Sequence, residues 1–212
     1  KVFDQPLNNW YVSNVTNLNW TFQNATDFNQ DLSDWNTSSV TQMIGTFMNA
    51  RAFDRPLTRD VNKWNTSNVT NMRDMFNGAR AFNNNGSALD GTSWDVSNVE
   101  YMHEMFNDAR VFNIDISGWD TSSVTDMSGM FKDALTFNQP LDIWNVSNVT
   151  NLNNTFNNAD SFNQNLNGWN TSSVIYMGGT FKNNNIFNQD LSNWDTSSVI
   201  NMRETFQNTV FN

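Results

Sequence analysis

A chain of 212 residues is long enough to bury a sizeable core, and its 38% apolar content includes 14% aromatics, so the core material is large rings. A formal charge of −10 with only 11 lysines and arginines argues against duplex nucleic acid or an anionic membrane as the main partner. Cysteine is absent, which removes disulfides, thiolate nucleophiles and cysteine-ligated zinc, and no apolar run approaches the length of a membrane-spanning helix.

The rings keep a clock. Trp10, Trp35, Trp64, Trp94, Trp119, Trp144, Trp169 and Trp194 recur every 25 to 30 residues, and each Phe either opens a unit or falls late within one. Units start near residues 3, 28, 53, 82, 112, 137, 162 and 187, so eight copies of one 25-residue unit fill a single domain over 1–212. Asparagine, at 40 residues, is the compositional outlier, yet the regular Trp and Phe separate this chain from disordered polar sequences.

Within a unit the first expected element is a strand. Leu-x-x-Trp-x-Val/Thr, as in Leu141, Trp144 and Val146, suits a short strand with Trp and Val/Thr facing inward. Next, Val-x-x-Met-x-x-Met-Phe-x-x-Ala, as in Val69, Met72, Met75, Phe76 and Ala79, steps by three and four and predicts a short helical or 3-10 segment. The Ser/Asn cluster before it supplies capping oxygens. An Asn or Asp follows each opening Phe (Asp4, Asn29, Asp54, Asn83, Asn113, Asn138, Asn163, Asn188), and this column is expected to bond to backbone of its own turn and the next. One unit cannot bury its apolar face alone, whereas stacked copies can. The fold class expected is therefore a repeat solenoid, leucine-rich-repeat-like, of about eight turns, each a short parallel strand plus a helical or 3-10 segment.

The stretch FNQPLDIWNVSNVTNLNNTFNNA at 137–159 resembles the repeat of BspA-like bacterial surface proteins, and the resemblance covers all eight copies. It implies a right-handed solenoid with one parallel sheet, extracellular or cell-surface display, and a role in adhesion or surface-layer assembly. The family has no catalytic motif to transfer. The Ala near the end of each unit becomes Asn184 and Thr209 in the last two copies, a departure that implies a looser end.

Residues common to all copies read as scaffold, so candidate sites lie where copies diverge. Copies three and four carry neighbouring insertions between Phe and Trp, and Arg51, Arg55, Arg59, Lys63, Arg73 and Arg80 concentrate there six of the 11 basic residues. That patch could dock an acidic partner. A second candidate is the outward residue beside each Trp: Tyr11, Asn36, Asn65, Asp95, Asp120, Asn145, Asn170 and Asp195. Trp20, the one Trp off the column, reads as a stacking platform or an interface anchor. Asn85, in an Asn-Gly-Ser sequon on the insertion, is the best candidate for glycosylation. His103, the single histidine, reads as a surface helix residue.

No cofactor, metal or enzymatic activity is expected. The leading reading is an extracellular structural or adhesive module, expected to be a segment of a longer array or a unit that continues end to end with neighbouring copies of itself. The alternative is a domain that binds a glycan or protein through the strand face or the basic bulge. A flat Thr ladder (Thr37, Thr66, Thr121, Thr171, Thr196) for ice or mineral is a weaker third idea, interrupted by Val12, Val96 and Val146.

Overall fold

The computed structural model describes residues 3–57, 64–89 and 94–210. Its eight coils stack in register, so that residues one unit apart meet and hydrogen-bond. The strand–helix coil expected from the periodicity is not what forms. Among the described residues there is one three-residue 3-10 turn, Asn84–Gly86, and seven single-residue parallel bridges that run from Asn17 through Tyr101 to Asn201. No described residue lies in an α-helix or a β-strand, and none forms a helix long and apolar enough to cross a membrane.

The reason is where the backbone amides go. In the second coil, Met43, Gly45, Phe47 and Asn49 donate their N–H groups to the carbonyls of Asn71, Arg73, Met75 and Asn77 in the third, at 2.7–3.0 Å. The amides between them turn inward: Thr46 to the Met43 carbonyl, Met48 to Gly45 and Ala50 to Phe47, each three residues back. An α-helix needs every amide to reach four residues back, and here alternate amides are already committed to the next coil. The segment read as helix is instead a run of overlapping turns whose alternate groups zip neighbouring coils together. Within this segment two residues per coil take the left-handed conformation, at Gly45 and Asn49 in the second and at Glu104 and Asp108 in the fourth. Either would break a helix, and both suit the third place of a tight turn.

The segment read as a strand also turns. The Trp35 N–H donates to the Leu32 carbonyl at 3.0 Å, and the same bond recurs at Trp119, Trp144, Trp169 and Trp194. Inward orientation of Trp and Val/Thr holds for the interior coils, while Trp10 of the first coil is exposed. Thr37, Thr66, Thr121 and Thr171 are buried, and each hydroxyl donates to a backbone carbonyl of the next coil, so these threonines form no exposed face.

The core is a set of aromatic columns. Phe131 packs on Phe137 of the following coil at 4.1 Å between ring centres, and on Phe106 and Phe156 at 5.9 and 5.7 Å. Each buried indole N–H reaches back a coil, as Trp169 does to the Leu141 carbonyl at 2.8 Å. Trp94 is the exception: its buried Nε1 has no partner among the described residues.

The Asn/Asp column forms as expected between coils. Asn29, Asp54, Asn83, Asn113, Asn138, Asn163 and Asn188 each donate a backbone N–H to the side-chain oxygen one coil earlier, at 2.9–3.0 Å. At the start of the column the Asn29 amide, then the Gln30 side chain, hold the Asp4 carboxyl below its usual range.

Candidate functional site

The outward residues beside each Trp are largely occupied by their own coils. The side-chain oxygens of Asn36, Asn65, Asp95, Asp120, Asn145, Asn170 and Asp195 each accept the backbone N–H two residues on, at 2.9–3.2 Å. This local turn is what an Asn or Asp before Ser offers. At Asp120 and Asp195, the Ser122 and Ser197 hydroxyls and amides hold the carboxyls below their usual range. The column is a turn-former first and a contact surface second.

Tyr11 breaks that pattern. A phenol cannot form the turn, and its side chain is fully exposed. Beside it a cleft of about 610 Å³ is lined by Asn8, Asn9, Trp10, Ser13, Asp34 and Asn36 as well as Tyr11. Trp10 is 61% exposed, so the cleft has two aromatic surfaces among amide, hydroxyl and carboxylate groups. Two residues singled out from the sequence, Tyr11 and Asn36, are therefore brought together. The remaining members of the column lie on later coils.

Of the basic cluster, Arg51, Arg55, Arg73 and Arg80 lie among the described residues. Arg59 and Lys63 lie outside the described residues. Arg80 pairs with Asp108 at 2.7 Å, and Arg73 lies 3.2 Å from Asp74. Arg55 donates to the Asn29 carbonyl at 2.8 Å, and Arg51 is exposed. Arg110 adds a second 2.7 Å pair to Asp108. Burial pushes the Asp108 carboxyl up, but the Arg110 and Arg80 guanidiniums outweigh it and leave it below the usual range. The two insertions do meet at their described bases, where the Leu57 N–H donates to the Asn84 side chain at 2.9 Å.

Asn85 is exposed, in the left-handed region at φ 49°, with its backbone N–H bonded to Asp54 at 2.7 Å. Trp20 lies over Gly45, where a β-carbon would overlap its ring, so much of its face is covered by the next coil. His103 is on a turn rather than a helix, with Nδ1 3.8 Å from an Asp126 carboxylate oxygen. Burial lowers its pKa and Arg73 adds to the effect, while Asp126, Asp74 and Glu104 oppose it.

Sequence reasoning missed the face built by the overlapping turns. Tyr101 and Tyr176 stand exposed there in the bridge column, and glycines recur at matching places in three of the coils (Gly45, Gly129, Gly179). The usable signal was those glycines, in copies where the others write larger residues.

A family model described as "Mycoplasma protein of unknown function, DUF285" matches residues 1–93, 56–152 and 139–212, three overlapping windows that together take in the chain. No curated protein and no solved structure matches.

Proposed function

The chain belongs to the DUF285 family, and on that premise we propose that it is a non-catalytic extracellular module, a stack of coils that acts as a surface spacer or adhesion element. The observation that carries this reading is the commitment of its polar side chains to structure. The side-chain column from Asp4 to Asn188 and the turn-forming Asn/Asp beside each Trp are used to hold one coil on the next. Such a molecule is built to hold a shape and present an outer surface. The resemblance of the repeat to that of BspA-like surface proteins supports display at the cell surface and adhesion. An antibody raised against the purified chain tests the location: it labels intact cells without permeabilisation, and labelling only after permeabilisation would overturn the reading.

A second reading, a dedicated ligand-binding domain, is favoured by one place, the cleft between Tyr11 and Asn36. It would take a protein or glycan through the Trp10 and Tyr11 rings with Asn36 and Asp34 at the edge. On this reading Tyr11→Ser abolishes capture of a cell-surface partner by the immobilised chain and leaves its thermal unfolding unchanged. Undiminished capture by the variant sinks it.

A further inference from the structure

We infer that the cleft beside Tyr11 takes an arginine side chain presented by a basic segment of a partner protein. This rests on the second reading above and deepens it, by naming the group that the cleft holds.

Three departures from the repeat meet at this one place. Tyr11 stands where every later coil has Asn or Asp. Asp34 is the one acid in its own column, the residue before each Trp, where the other coils write neutral residues or Lys63. Trp10 is the most exposed of the column tryptophans, the interior ones being buried. Two neighbouring coils thus add two ring faces and a carboxylate to an otherwise uniform pattern, and all three line the same cleft.

The polar groups beside those rings are uncommitted. Asp34, Asn8 and Asn9 make no side-chain hydrogen bond or ion pair among the described residues, and no lysine or arginine lines the cleft. Asp108 shows the contrast, its carboxylate held between Arg80 and Arg110 at 2.7 Å each. The Asp34 carboxylate is instead open to a cation from outside, on a chain whose formal charge of −10 draws basic partners toward it.

An exposed carboxylate by itself holds a cation weakly. Here aromatic faces stand beside it, and a cation over such a face gains further attraction. Among organic cations the guanidinium fits this set most fully. It is planar and stacks on rings, and its fork of N–H donors can meet a carboxylate and still reach amide oxygens such as those of Asn8 and Asn9. A quaternary ammonium has no donor for these acceptors, and a lysine ammonium has no flat face to lay on a ring. At about 610 Å³ the cleft exceeds one side chain and has room for the backbone around it. The free amino acid would bring its own carboxylate against Asp34. An arginine within a chain does not.

The test uses the whole chain, isotope-labelled and dilute enough to be monomeric, titrated at physiological salt with hexa-arginine, hexalysine and hexacitrulline peptides. Citrulline keeps the shape of arginine and drops its charge. Hexa-arginine should move the Trp10 indole and Tyr11 amide signals, and hexacitrulline should leave them still. Hexalysine should bind at least about fivefold more weakly than hexa-arginine. Asp34→Asn, at a carboxylate that bonds to no described residue, should weaken hexa-arginine binding about tenfold and leave thermal unfolding unchanged. Trp10 and Tyr11 signals that stay still with hexa-arginine overturn the inference. So does hexalysine binding as tightly, or an Asp34→Asn variant binding as tightly as the parent. Signals around Asp120 and Asp195 that move as far as those of Trp10 overturn it too, since they would show diffuse attraction to an acidic surface. Capture of a cell-surface partner that Tyr11→Ser abolishes and Asp34→Asn leaves whole keeps the second reading and overturns this one. Capture that Tyr11→Ser spares sinks that reading, while the peptide titration still decides the arginine site.

Discussion

At Asn138 the side-chain oxygen and the backbone N–H together serve three neighbours. Its oxygen accepts the Asn163 N–H at 3.0 Å and the Gln164 side chain at 2.9 Å, while its own N–H reaches Asn113 at 2.9 Å. Asn138→Ala removes the acceptor and leaves the Asn163 N–H to water, at a cost of about 1 kcal/mol. Asn138→Asp keeps the acceptor, as Asp54 does for Asn83 in the same column, and should fall within about 0.5 kcal/mol of the parent. Urea unfolding of the two variants measures the difference; equal losses would remove the column from the account of stability. His103 makes a second residue-scale prediction. Its folded pKa lies below that of the free imidazole, so the folded state resists protonation. Stability should be complete above the free value of about 6.5 and fall as pH drops below it. His103→Gln should flatten that part of the pH–stability curve, and an unaltered slope would assign it to other groups.

Elements are where the sequence and the fold part company. Val69, Met72, Met75, Phe76 and Ala79 are all buried, so the core face was legible from spacing alone. What spacing could not separate was a helix from overlapping turns, because both return the chain to the same side every three or four residues. The deciding residues were polar ones: Asn24, Asn49, Gly78, Asp108, Asp133, Asn158, Asn183 and Asn208, all left-handed, and all of the types that tolerate it. Tyr11 could be found as a departure from its column, but the packing of the turn face could not, since it depends on which side chain overhangs which glycine. The Trp column gives the element-scale prediction. Trp169→Phe forfeits the bond to the Leu141 carbonyl as well as ring volume, whereas Trp94→Phe forfeits volume and removes a donor that has no partner among the described residues. The Trp94 change should therefore be milder by about 1 kcal/mol in chemical denaturation. A larger loss at Trp94 than at Trp169 would mean that its indole is bonded after all.

The whole molecule has a direction, because in the overlapping turns alternate amides of one coil donate to carbonyls of the next. In the first coil the carbonyls of Asn17, Asn19, Thr21 and Gln23 face the side from which no described residue donates; in the second, Gln42, Ile44, Thr46 and Met48 accept from the first. The eighth coil carries the opposite half: its carbonyls at Asn201, Arg203, Thr205 and Gln207 are used by the seventh, while the Met202 and Glu204 amides donate to no backbone carbonyl among the described residues. Apolar surface follows the same polarity, with Phe3 and Trp10 exposed at one end and Ile200 and Met202 at the other. The two ends are therefore complementary to each other and not to themselves. Contacts of that kind do not close and build open chains. In the isolated 212-residue chain this predicts concentration-dependent head-to-tail association, read as a rising mass in sedimentation. Phe3→Glu should block one end and Met202→Glu the other, leaving each variant monomeric. Mixed together, the two variants still hold one free end of each kind, so they should form a dimer and stop there. A chain that stays monomeric at all concentrations, or variants that each pair with themselves, would show that the direction written into the coils is not used between molecules.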